Sequence, residues 1–382
     1  MALRIVIDAR RIGDFGIGTY IRNLVHGLAG LDSENTYVLV VSRPDEPELA
    51  GLPPNFIPTV YRRSDSHWMN QYSCYFFFKE LAPDLVHLPH AVVPLLMPRP
   101  YVVTIHDIGS LLFAERRHVR RSMRMYLFRR GLLRAERVNA VSGATRRDVE
   151  NILNIPPDRI RQIYDAPDPR FIRQDGGADP AERQRILERY QINYPFILYA
   201  GAVRPQKNIP RLVEAFAVLR GDLENHPIYK DLRLIIIGDE ISKYPSVRRA
   251  VIKTRVEDVV RFLGFVPVDA LRVFFEAASV FAFPSLYEGF GLPPLEAMAS
   301  GTPVVTSNVS SLPEVVGNAA VLVNPENVFD IARGLREVLV DESLRAELIR
   351  KGQQQARRFS WSQTARQVLE IYLEVGQSRR RG

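Results

Sequence analysis

An α/β chain of two doubly wound parallel sheets is the fold the sequence predicts. Short β-branched runs alternate with helical patterns of ten residues or more, in two series parted by a polar segment. At 382 residues the chain is long enough to bury two cores. Parallel sheets of this kind gather their ligands at the carboxyl ends of the strands.

The first series is LRIVID at 3–8, TYVLVV at 36–41, DLVHL at 84–88, YVVTIH at 101–106, RVNAV at 137–141 and RIRQIY at 159–164. A polar stretch, DAPDPRFIRQDGGADPAERQ, interrupts the alternation. The second series follows: FILYAG at 196–201, LRLIIIG at 232–238, VVRFLG at 259–264, VFAFP at 280–284, PVVTS at 303–307 and AAVLV at 319–323. FSWSQTARQVLEIYLEV at 359–375 is an amphipathic helix, and the tail QSRRRG is expected to fray. The predicted division is 1–170, 171–358 and a closing helix at 359–382.

The single cysteine, Cys74, excludes an intramolecular disulfide, and MALRIVIDAR lacks the pattern of a signal peptide, so a reducing cytosol is expected. No run approaches the ~18–20 apolar residues that span a bilayer. The net charge of +8 favours anionic partners without choosing among them. Its densest part is RRHVRRSMRMYLFRRGLLRAER at 116–137, where Val119, Met123, Tyr126, Leu127 and Leu133 interleave with arginines. Such a helix suits an anionic membrane surface, and it equally suits a core-packed helix with a solvated basic side. No nucleic-acid motif accompanies the charge.

Four stretches can carry chemistry. RIGDFGIGTYIRNLV follows the first strand and opens a helix near Thr19. Its glycines, Gly13, Gly16 and Gly18, come in the wrong order for a dinucleotide fingerprint, and Ser42 and Arg43 stand where the ribose-binding acid belongs. A glycine loop at a helix start still suits a phosphate, or serves only a tight turn. YAGAVRPQKNIPRLVEAF places Arg204 and Lys207 in a strand-to-helix connection, where two cations would draw a diphosphate. YVVTIHDIGSLLF ends an apolar strand at His106 and Asp107, and a strand-terminal histidine can act as donor, acid or base, or simply be a partly buried bonded residue. His87, His90 and His106 lack the spacing of a zinc site.

In SLYEGFGLPPLEAMAS, residues 285–300, Glu288 and Glu296 flank a turn that runs into a helix. Pro293 and Pro294 suit a first helical turn, so Gly289, Phe290, Gly291 and Leu292 would present backbone N–H groups to an anion. Glu288, before the turn, and Glu296, in the first helical turn, would accept from hydroxyls on either side. A phosphate between a sugar and a ribose fits that geometry. A glycosidase would use two such acids across a scissile bond, and their spacing alone leaves both readings open. The fold favours the nucleotide sugar, because a nucleoside diphosphate leaves well once cations stabilise it.

These stretches, with RVNAVSGATRRDVE, FLGFVPVDALRVFFEAASVFAFPSLYEGFGLPPLEAMASGTPVVTSNVSSLPEVVGNAAVLVNP and RRFSWSQTARQVLEIY, resemble the group 1, family 4 glycosyltransferases over nearly the whole chain. The resemblance implies the GT-B fold, two Rossmann-like domains facing a cleft. It implies a metal-independent transferase retaining anomeric configuration, in keeping with the lack of Asp-x-Asp. It assigns hexose hydroxyls to Glu288, the ribose to Glu296, the diphosphate to Arg204 and Lys207, and a hexose contact from the other domain to His106. Gly16 and Gly18 would approach phosphate or acceptor, and backbone near Gly238 and Val266 would border the base. Relatives carry an arginine where Ala202 or Gln206 stands here, so Lys207 is the firmer assignment. The expected reaction moves a hexose, mannose first, from GDP-mannose or a UDP-hexose to a glycan or polyprenyl-linked acceptor in cell-surface polysaccharide synthesis, in the cytoplasm or on the inner membrane face. No cofactor beyond the nucleotide sugar is expected. A nucleotide-sugar epimerase and an inactive nucleotide-sugar-binding protein are the rival readings.

Overall fold

The computed structural model describes residues 2–14, 16–63, 69–113, 118–173, 179–239 and 243–381. It divides into two units, residues 1–166 with 360–382, and residues 167–359.

The first unit holds seven strands: β1 (Arg4–Asp8), β2 (Thr36–Val41), β3 (Phe56–Val60), β4 (Leu85–Leu88), β5 (Tyr101–Ile105), β6 (Arg137–Ala140) and β7 (Ile160–Gln162). They pair in parallel in the order β3-β2-β1-β4-β5-β6-β7. The sheet winds both ways from β1, so its topological switch point lies between β1 and β4, and ligands gather at such a point. All of β4 and β5 is buried, the mark of strands covered on both faces.

β3 is an addition to the six predicted strands. Its sequence, FIPTV, contains a proline, and Pro58 pairs beside Leu39 on the outermost strand. Only an edge strand tolerates the lost N–H, so the residue that hides this strand from sequence reading also fixes its place.

The helix Ile17–Ala29 begins two residues before the predicted Thr19, with Gly16 ahead of it at φ +68°. The closing helix, Trp361–Arg381, belongs to this unit. A Cβ on Gly27 would stand 2.8 Å from the Ala365 Cβ, so the two helices meet at a glycine. The helix runs through the tail expected to fray, because nothing between Val375 and Arg381 breaks it and Gly376 packs on Leu3.

The second unit contains β8 (Phe196–Ala200), β9 (Arg233–Ile237), β10 (Val260–Gly264), β11 (Val280–Phe283), β12 (Val304–Ser307) and β13 (Val321–Val323). They are parallel in the order β10-β9-β8-β11-β12-β13. Its switch point therefore lies between β8 and β11.

Candidate active site

Lys207 follows β8 and Glu288 follows β11, and the switch point brings them together. Four hydrogen bonds clamp the loops behind these strands. Asn208, in the left-handed region at φ 60°, donates its side-chain amide to the Pro284 carbonyl at 3.0 Å and to the Pro325 carbonyl at 2.7 Å. Leu286 N–H donates to the Gln206 carbonyl at 2.7 Å, and Tyr199 O–H to that of Ala202 at 2.9 Å. So held, Lys207 Nζ lies 2.6 Å from Glu288 Oε1, with side chains 16% and 10% exposed. The ammonium also lies 5.2 Å from the Phe283 ring centre.

The glycine turn is braced from the β12 loop. Ser310 Oγ accepts from Glu288 N–H at 3.2 Å, and the Ser311 hydroxyl reaches the carbonyls of Glu288 and Phe290 at 2.9 and 2.7 Å. Gly291, at φ 111°, then opens the helix Leu292–Ala299. Gly289 and Gly291 are buried, Leu292 is half-buried, and Phe290 packs edge-on against Phe359. Glu296 is the fifth residue of this helix, not in its first turn as predicted; it is half-buried and contributes to the field at Arg170. The helix starts at Leu292 because the left-handed Gly291 interrupts the backbone there, which pushes Glu296 one turn on.

Arg204 is exposed, and its guanidinium makes no hydrogen bond or ion pair among the described residues. Gly238 follows β9 beside Gly201, and a Cβ on it would fall 2.0 Å from the Gly201 carbonyl oxygen; only glycine fits that approach. Val266 is buried beyond β10. An open cavity of about 590 Å³ lies at the other end of this sheet, among Glu188, Gln191, Asn193, Tyr194, Arg233 and Arg261. There Arg261 donates to Tyr194 Oη and the Gln191 carbonyl, closing a helix end.

In the first unit, the β1–β4 switch point holds a charged cluster that sequence reasoning missed. Asp8 is fully buried; Arg10 reaches it through Nε and Nη2 at 2.7 and 2.5 Å, and His90 Nε2 lies 3.1 Å away. Burial raises the Asp8 pKa, but the Arg10 hydrogen bond and then His90 outweigh it and hold the carboxyl well below the usual range. The rule that singled out His106, a polar residue ending an apolar strand, applies equally to Asp8.

His106 follows β5 with its side chain 16% exposed. Its Nε2 lies 3.2 Å from the Pro89 carbonyl, its Nδ1 3.7 Å from Asp165 Oδ2, and its ring edge-on to Tyr20 at 4.8 Å. Beneath it, His87 links Thr104 through Nε2 at 2.8 Å to Tyr372 through Nδ1 at 2.5 Å, and Tyr20 joins Thr104 at 3.1 Å. Gly18 is a packing residue, since a Cβ there would lie 2.4 Å from the Ile12 carbonyl oxygen. Gly16 has open space about it.

Of the basic segment, Arg116 and Arg117 lie outside the described residues. The helix His118–Arg134 exposes Met123, Tyr126 and Leu127 and buries Leu132.

Residues 16–171 match the Glycosyltransferase Family 4 model and residues 182–355 that of Glycosyl transferases group 1. The O-antigen chain mannosyltransferase B of Escherichia coli is 34% identical over 292 residues, 75% of this chain and 74% of that one. The serotype-specific mannosyltransferase WbdA of Escherichia coli is 30% identical over 84% of this chain, which spans only 41% of the WbdA length. Among solved structures, Anabaena Alr3699/HepE in complex with UDP-glucose matches with a TM-score of 0.77 at 18% identity, over 97% of this chain and 100% of that one, a likeness of fold. Two doubly wound parallel sheets, two family models that together span most of the chain, and a relative matched over three quarters of it agree: this chain belongs to the group 1, family 4 glycosyltransferases of GT-B fold.

Proposed function

We propose that this glycosyltransferase moves a mannosyl group from GDP-mannose to a glycan or lipid-linked acceptor in cell-surface polysaccharide synthesis, with retention of configuration and without a metal ion. The observation that carries the reading is the Lys207–Glu288 pair at the β8–β11 switch point, beside a glycine turn that opens a helix. The pair combines a cation for a diphosphate with a carboxylate for sugar hydroxyls. The choice of mannose draws on the relative at 34% identity, whose name is that of an O-antigen chain mannosyltransferase.

As the bond from the anomeric carbon to the diphosphate stretches, negative charge grows on the leaving oxygen and positive charge on the ring. Lys207, with the exposed Arg204 nearby in sequence, stabilises the first, and Glu288 orients the sugar that carries the second. In this account the acceptor hydroxyl attacks the face the diphosphate leaves, and the departing phosphate takes its proton. Diphosphate binding draws Lys207 toward phosphate and frees Glu288 for hydroxyls. Arginine-rich 116–137, with its exposed apolar side chains, would hold the enzyme at an anionic membrane surface.

Thermal melting of the full chain with GDP, UDP, ADP and dTDP and their sugars, in EDTA, tests the donor. A ligand that binds only the folded form raises Tm by mass action. GDP and GDP-mannose are expected to raise it, and a rise with another nucleotide alone overturns the choice of donor. Glu288→Gln should keep the GDP shift while lowering mannosyl transfer by about 10²-fold or more, the scale of a lost transition-state contact. Full transfer by that variant removes Glu288 from the chemistry.

A further inference from the structure

Asp165 is a buried carboxylate that the reaction as described does not use. It follows β7 at the end of the first unit, 2% exposed, and no arginine or lysine pairs with it among the described residues. Its Oδ1 has no hydrogen-bond partner among the described residues, and its Oδ2 faces His106 Nδ1 at 3.7 Å. Burial raises its pKa, with His106 opposing the rise. A bare carboxylate in such surroundings is costly, so it must hold a proton or face a cation.

The proton's place follows from the other edge of the imidazole. Nε2 faces the Pro89 carbonyl at 3.2 Å, and a carbonyl only accepts, so Nε2 carries hydrogen. The second proton then belongs to the Nδ1 edge, which Asp165 faces. Among the described residues, neither Tyr20 nor His87 competes for it. Tyr20 has its hydroxyl on Thr104, and burial lowers the pKa of His87 to about 3, keeping that ring neutral.

We propose that Asp165 is a positioning residue for His106: its buried carboxylate, 3.7 Å from Nδ1, holds a proton on that nitrogen by charge and so fixes the orientation and charge of the imidazole at the end of β5. The catalytic consequence rests on reading His106 as a contact to the transferred hexose. The pairing of the two groups does not.

The test is ¹⁵N NMR of the full chain labelled at histidine, with His106→Gln identifying the resonances. In the wild type, His106 Nδ1 should give the signal of a protonated nitrogen. In Asp165→Asn it should move to that of a bare ring nitrogen, with the His87 and His90 signals in place as controls on folding. Transfer should fall about 10- to 100-fold in kcat with the donor KM little changed, as for other partners that orient an active group. A bare Nδ1 in the wild type, or an Nδ1 signal unmoved by the substitution, overturns the proposal. Should Asp165→Asn fail to fold, the wild-type signal alone decides. If no nucleotide sugar supports transfer, the function proposed above falls while the resonance still judges Asp165.

Discussion

His87 shows at the scale of one residue how burial becomes pH dependence. It is fully buried and neutral, with Nδ1 hydrogen-bonded to the Tyr372 hydroxyl and Nε2 to the Thr104 hydroxyl. Burial lowers its pKa to about 3, below the ordinary value of about 6.5. In that interval the unfolded chain binds a proton that the folded chain refuses, so stability is complete above about pH 6.5 and falls as pH drops toward 3. The loss approaches roughly 1.4 kcal/mol per pH unit. His87→Asn should therefore be less stable than wild type at pH 7, by about 1–3 kcal/mol for the broken network, yet lose less on acidification. Urea midpoints between pH 7 and pH 4.5 check this, and equal slopes for the two proteins would remove His87 from the acid response. Asp8 acts lower, since a carboxyl held below its ordinary value stabilises above about pH 4 and loses that contribution beneath it.

At the scale of elements, the helix His118–Arg134 sets apolar side chains in solvent where a soluble surface would have polar ones. Met123, Tyr126 and Leu127 stand three and four residues apart, 58%, 61% and 41% exposed, on one side of the helix. Replacing all three by serine should weaken sedimentation with anionic vesicles at least tenfold, because each buried large side chain contributes roughly 1.5–3 kcal/mol and even partial insertion of three exceeds one factor of ten. Unchanged binding would return this face to ordinary solvent. The same scale shows what the sequence made legible. Strands buried on both faces, such as FILYA at Phe196–Ala200, stand out as apolar runs, and the residues just past their ends included Lys207 and Glu288. β3 stayed hidden because Pro58 contradicts a strand unless its place at the edge is known. Asp165 stayed hidden because it faces His106, 59 residues earlier in the sequence, and nothing in a polar run of aspartates and prolines marks one carboxylate as buried.

For the whole chain, the last helix decides which parts can fold alone. Residues 167–359 form a continuous unit, whereas the first unit joins residues 1–166 to 360–382 across the full length of the other. Trp361, Ala365, Val368, Ile371, Tyr372 and Val375 are all buried. The closing helix lies on Ile17–Ala29 at Gly27, packs Gly376 on Leu3, and joins Arg137 to Glu374 and Thr364 Oγ1 to the Tyr164 carbonyl. At roughly 1.5–3 kcal/mol for each large buried side chain, an upper bound, the helix contributes on the order of 10 kcal/mol, comparable to the 5–15 kcal/mol by which a domain is stable at all. Residues 167–359 expressed alone should thus melt cooperatively, while residues 1–166 alone should not. Supplying 360–382 through a flexible linker after residue 166 should restore a cooperative transition to the first unit, and Tyr372→Ala in that linked chain should remove much of the gain by emptying the space against His87. Calorimetry of the four proteins reads the outcome directly. A cooperative melt of 1–166 unaided would show that the first sheet closes its own core, and would reduce the closing helix to a covering layer.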